Sequence, residues 1–262
     1  MRLLAVGVAC AVLAAHAQDL PEWVRQLARI KQKAKDNFEQ IPNYVCRETV
    51  ERFRKGLKDR IARKEDTLQF DVAHVGNREM FAVPGASGFE DGNLSSLAPV
   101  GLIGTGTFSS LVGNVFVNNV ARITPHREEH TLVPVPARYD FEIPAFLGGW
   151  EIQSPHGKAS AGAHGSFWAD EESLDLTRIE VHATDFPLAL GMSEIAETIT
   201  YARMRIGSSS VILPQSGELV VTDLVGVVSS NHIQFSGCRE YTSESTIRFG
   251  EPVTSLPPVK KK

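Results

Sequence analysis

The string with the strongest claim to chemistry is His126-Arg127-Glu128-Glu129-His130, which has the H-x-x-E-H order of inverted zinc peptidases. Zinc hydrolysis from that spacing needs both imidazoles on one helical face and a carboxylate that activates a bound water. Pro125 stands immediately before the string and Thr131-Leu132-Val133-Pro134-Val135-Pro136 immediately after, which is too little room for a helix that presents the pair. On a strand the two histidines share a face and Glu129 points away, so an exposed polar strand or turn is expected and no metal site is assigned. The Gly101-Leu102-Ile103-Gly104-Thr105-Gly106-Thr107 run lacks the Lys-Ser/Thr of a phosphate-binding loop and reads as a flexible loop. Ser166, in Gly165-Ser166-Phe167-Trp168, lacks the second glycine of a nucleophile elbow. His156 and His164 flank residues 157 to 163, which read as a small-residue hairpin tip with solvated histidines. A non-enzymatic protein without a cofactor is therefore the expectation. A hydrolase whose groups converge only in space is the remaining catalytic alternative.

The cysteines carry a different kind of chemistry. Arg2 precedes a small, apolar run from Leu3 to Ala15 that ends in Ala15-His16-Ala17, the form of a cleavable secretory signal over residues 1–17. The run is shorter than the roughly twenty apolar residues that span a bilayer, and no later stretch approaches that length. Cleavage after Ala17 takes Cys10 with it and leaves Cys46 and Cys238 in an oxidising compartment, periplasmic or extracellular. Two cysteines there most simply form one disulfide. Both lie in strand-like segments near the two ends of the chain, and they are not in a Cys-x-x-Cys arrangement, so the bond is expected to clasp one domain rather than to do redox work. The mature chain carries 26 basic against 31 acidic residues, a net charge of −5, which gives no footprint for nucleic acid. Lys260-Lys261-Lys262 behind Pro257-Pro258 reads as part of a disordered tail over 251–262.

The elements that must position any site follow from periodicity. Trp23, Leu27, Ile30, Ala34, Phe38 and Ile41 recur every three or four residues opposite a basic face, which predicts an amphipathic helix over 21–41. After Pro42 the period switches to two, with Gly76-Asn77 as a hairpin turn and later strands over 139–143, 150–153, 165–169, 176–183, 195–206, 211–223, 227–236 and 240–249. Short turns without intervening helices mean antiparallel pairing. The chain is thus expected to be mainly β (α+β), a single domain over 18–250 in which a large curved antiparallel sheet or incomplete barrel packs on the N-terminal helix. Residues 84 to 119 interrupt the rhythm with a Gly- and Ser-rich insertion. Phe108, Leu111, Val112, Val115 and Phe116 fall there at helical spacing and predict a short apolar helix, of the kind that lids a site.

A strand ending in Trp168 and Asp170, an acidic turn, and a strand carrying Arg178 and Glu180 resemble the strand-turn-strand of the outer-membrane lipoprotein carrier (LolA, LolB and RseB) superfamily. Pro42-Asn43-Tyr44-Val45-Cys46, Gly165-Ser166-Phe167-Trp168, Leu213-Pro214-Gln215 and Phe235-Ser236-Gly237-Cys238 also look like a group of secreted proteins from environmental bacteria. The carrier resemblance implies an incomplete antiparallel barrel around helices whose apolar concavity receives acyl chains. On that reading the protein is a periplasmic or secreted binding module for a lipid, an acylated protein or another hydrophobic molecule. Phe108, Leu111, Val112, Val115, Phe116, Trp150 and Trp168 are the candidate wall. A structural or protein-interaction component of the cell envelope, with a filled core, is the alternative.

Overall fold

The computed structural model describes residues 20–76, 78–86, 88–91, 111–126, 137–147 and 150–241. The expected signal segment, Phe108, the Gly101 loop, residues 127–136 of the H-x-x-E-H neighbourhood, the 242–249 part of the last expected strand and the tail all lie outside them. The chain opens with helix α1, Glu22–Gln40. Glu22 puts an acid in its first turn, and Ile41 is extended because Pro42 follows and disfavours helical backbone before it. The N-terminal part of the apolar stripe packs into the core through Leu27 and Ile30, the latter wholly buried.

Twelve strands follow: β1 Tyr44–Lys55, β2 Arg63–Val75, β3 Arg78–Ala82, β4 Glu90–Asp91, β5 Arg122–Pro125, β6 Ala137–Ile143, β7 Trp150–Ser154, β8 Gly157–Ala169, β9 Leu176–Thr184, β10 Met192–Ile206, β11 Ser209–Asp223 and β12 Val228–Glu240. They form one open antiparallel sheet in the order β4-β3-β2-β1-β12-β11-β10-β9-β8-β6-β5, with β7 added to β8. Sequential neighbours pair almost throughout, so tight turns suffice, several of them closed by left-handed glycines such as Gly207 and Gly226. The non-sequential pairs are β6 with β8 and β1 with β12, and the second brings the start of the chain to its end.

That pairing places Cys46 and Cys238 in adjacent strands with their Cα atoms 4.1 Å apart, and they form a disulfide. The register shifts between Val45 and Arg47, where the β12 backbone passes through Gly237 at φ +59°. A left-handed residue at a bulge is where glycine is at no steric disadvantage, so the bulge and the disulfide share one site.

One side of the sheet carries α1 and the last part of the insertion, where a π-helical turn, Gly113–Val117, forms the short apolar helix. Phe116 meets Phe167 edge-on at 4.9 Å, and Tyr139 stacks on Phe167 at 5.3 Å. The Tyr139 hydroxyl then donates to Gln26 Oε1 of α1 at 3.0 Å, a polar tie between helix and sheet. Asn37 makes a second tie: its Nδ2 donates to the Ile212 carbonyl at 2.9 Å, and the Ile212 N–H donates to its Oδ1 at 2.7 Å.

Residues 157 to 163 are not a hairpin tip. The turn lies at Pro155-His156, and the small residues belong to β8, which pairs with β7, β6 and β9. The reason is space: a Cβ on Gly165 would stand 1.9 Å from the Glu180 carbonyl oxygen, and one on Gly162 2.5 Å from the Thr184 hydroxyl. Small residues there record a crowded central strand rather than a turn.

Candidate functional site: a cavity between the helix and the curled sheet

The site begins with two facing surfaces. The C-terminal half of α1 offers Ala34, Phe38 and Ile41, and the sheet offers the inward residues of β1, β2, β3, β10, β11 and β12, enclosing a cavity of about 70 Å³. By the measure that assigns a water roughly 10–15 Å³, that holds about five waters or a small organic group. Glu79 of β3 and Leu176 of β9 both line it. Those strands stand six positions apart in the sheet, a separation of about 29 Å if it were flat, so the sheet must curl around the helix.

The wall is mostly apolar, with Val72, Phe81, Val112, Leu176, Leu213 and Phe235 among its residues. Its polar residues fall into two groups. At one, Asp175 accepts from Arg203 Nε at 3.2 Å and lies 3.6 Å from Lys33 Nζ of α1. At the other, Glu48 of β1 is 1% exposed, and among the described residues nothing hydrogen-bonds its Oε1. Beside it His74 Nε2 lies 3.5 Å from Glu79 Oε1, and the Tyr44 ring stacks on His74 at 5.2 Å. Glu197 of β10 is buried on the same side of the sheet and acts electrostatically on Glu48.

Burial in apolar surroundings, reinforced by the negative charges of Glu79 and Glu197, pushes the Glu48 carboxyl up to about 8. Burial likewise raises the Tyr201 and Tyr44 hydroxyls, with Glu197 adding to the first and Glu79 to the second. Glu48 therefore keeps its proton at moderate pH.

Of the residues expected to form a hydrophobic wall, the structure brings Val112 to the cavity. Leu111, Val115 and Phe116 are buried in the main core next to it, and Trp150 packs at the edge of that core. Trp168 occupies the opposite side of the sheet from its buried neighbour Phe167, because side chains alternate along β8. There it is flanked by Arg138 at 4.9 Å and Arg178 at 5.3 Å, which sit opposite it on β6 and β9. Cation–π contacts account for Arg-Trp-Arg in this row.

The candidate catalytic residues take ordinary structural positions. His126 Nδ1 lies 2.8 Å from Asp140 Oδ2, and the Ser166 hydroxyl donates to Asp140 Oδ1 at 2.6 Å. Burial works to raise the Asp140 carboxyl, but these two hydrogen bonds and the His126 charge outweigh it and hold it low. The carboxylate stands between hydroxyl and imidazole, so His126 is not placed to take the Ser166 proton directly. Among the described residues no three His, Cys, Asp or Glu side chains converge as a metal site needs, and no helix is long and apolar enough to cross a membrane.

No family model and no curated protein matches the chain. Among solved structures it is similar to a LolA superfamily protein from Nitrosomonas europaea, at 13% identity and TM-score 0.39, covering 82% of this chain and 94% of that one. It is also similar to an outer membrane lipoprotein-sorting protein domain from Vibrio parahaemolyticus, at 14% identity and TM-score 0.39 over 82% and 92%. A DUF1329 family protein from Desulfovibrio piger matches at 10% identity and TM-score 0.39 over 86% and 96%. The functional reading rests on the cavity.

Proposed function

We propose that this protein is a periplasmic or secreted carrier or binding module that holds the apolar part of a lipid, an acylated protein or another small amphiphile between α1 and the curled sheet. One observation carries the reading: a cavity of about 70 Å³ with a mainly apolar wall, closed on one side by a single helix. Apolar pockets with a few polar groups are the usual form of a small-molecule site. The disulfide supports a working place outside the cytoplasm. A short acyl group fits the cavity as it stands, and a longer chain is accommodated by lifting α1, whose polar ties to the sheet here are Tyr139 and Asn37. A fluorescent acyl probe should bind the mature protein saturably, and filling the cavity with Val112→Phe should weaken binding by about tenfold, in the range of losing one buried apolar contact surface. Absence of binding, together with an empty protein by native mass spectrometry after purification from its own host, refutes the reading.

A protein-interaction role is the second reading, and a separate feature favours it. Leu57 and Ile61 in the β1–β2 turn are 71% and 76% exposed, Leu188 63%, and Leu224 and Val225 in the β11–β12 turn 54% and 67%. These turns adjoin: a Cβ on Gly226 would lie 3.0 Å from Leu57 Cδ2, and the Leu224 N–H bonds to the Gly191 carbonyl. They make an apolar rim at one end of the strands, which fits a docking partner. The acyl-probe experiment separates the readings, since only the first depends on the cavity.

A further inference from the structure

We propose that the occupant of the cavity is an amphiphile with a cationic ammonium headgroup, seated against Glu48 within the aromatic part of the wall. This rests on the reading of the cavity as an amphiphile site and names the chemical class that the site selects.

The geometry comes first. Glu48 lines the cavity, is 1% exposed, and has an oxygen that nothing among the described residues hydrogen-bonds. A buried acceptor without a donor costs on the order of 1–3 kcal/mol, and a bound donor recovers that cost. Tyr44, Phe81, Tyr201 and Phe235 line the same space. Aromatic faces beside a carboxylate are the recognised environment for alkylammonium groups, whose charge is attracted to the ring faces.

The charges around Glu48 favour the same sign of ligand. Facing the cavity are Lys33 from α1, Tyr44 and Glu48 from β1, His74 from β2, Glu79 from β3, Asp175 from the turn before β9, and Tyr201 from β10. Glu197 and Arg203 of β10 stand behind this wall, and Arg52 of β1 is held by Asp66 of β2. Lys33 and Arg203 are committed to Asp175. Glu79 and Glu197 both act on Glu48 as negative charges, and His74 lies beside Glu79. An anionic headgroup placed there adds a like charge, and a neutral one leaves Glu48 to hold its proton. A cation takes the place of the Glu48 proton, and the proton leaves to solvent.

Displacement of a proton is the measurable signature. Isothermal titration calorimetry of the mature protein with octylammonium, octanol and octanoate compares one chain with three headgroups. Octylammonium should bind at least about tenfold tighter than octanol at about pH 8, and its affinity should rise by roughly tenfold per pH unit between about pH 6 and 8. Octanol affinity should stay flat. The heat of the cation reaction should vary with buffer ionisation enthalpy as one proton is released. Glu48→Gln should abolish the preference for the cation and the proton release. If that variant does not fold, the pH dependence and proton release of the unaltered protein decide the matter. Equal affinity for the three probes, or preference for octanoate, overturns the headgroup assignment and leaves the apolar cavity function standing. Binding of none of them overturns both.

Discussion

Glu48 shows how far a residue's chemistry depends on its neighbours. In an unfolded chain its carboxyl ionises near the ordinary value of 4.5, whereas in the fold it holds its proton to about 8. Between those values the folded state keeps a proton that the unfolded state has lost, so stability falls as pH rises through the window and levels off above it. Over the whole window the loss is on the order of a few kcal/mol. Urea midpoints taken at about pH 5 and pH 8 should therefore drop with pH, and Glu48→Gln should flatten most of that slope. Glu48 and Glu197 were legible in part. Each stands on the inward period of its strand, Glu48 between Cys46 and Val50 and Glu197 between Ile195 and Ile199, and a carboxylate on an apolar period is a signal that motif spacing does not register. His126 and Ser166, which motif spacing does register, instead meet Asp140 in a hydrogen-bonded cluster.

At the level of elements, α1 is held by its apolar stripe and by a few polar ties, of which the Asn37 pair and the Lys33–Asp175 ion pair both stand at the cavity. Asn37→Ala strips partners from both the N–H and the carbonyl of Ile212, at a cost of about 1–3 kcal/mol. Thermal unfolding should record it, and the acyl probe should enter and leave α1's side of the cavity faster. Gly165 tests the β8–β9 contact. Gly165→Ala sets a methyl against the Glu180 backbone carbonyl, which cannot swing aside as a side chain does, so the strands must part. A loss of about 3 kcal/mol or more is expected in denaturant unfolding. The helix expected over 21–41 and observed as Glu22–Gln40 was readable because its amphipathic period and the Pro42 stop are local. The role of residues 157 to 163 was not, because small residues mark a turn and a crowded strand alike, and only the approach of β9 tells them apart.

For the whole molecule, the disulfide joins strands that are neighbours in space and 192 residues apart in sequence. Closing so long a loop in the unfolded chain accounts for up to about 5 kcal/mol, the upper end of the range for native disulfides. Replacing both cysteines by alanine should lower the urea midpoint accordingly, while a protein that keeps its midpoint under reduction would show that the β1–β12 ladder alone suffices. N-terminal sequencing of the exported chain should begin at Gln18. The sequence by itself determined the period-two strands, the amphipathic helix and the pairing of two cysteines, because each is written in local spacing or in a count. Tertiary structure decided where a cavity lies and what lines it. Strand order brings β12 beside β1, and the curl carries β3 around to β9, so Glu48, Glu79 and Leu176 line one space although no local pattern connects them. Convergence of that kind depends on which edges pair and how far the sheet twists, and neither is encoded in the alternation of any single strand.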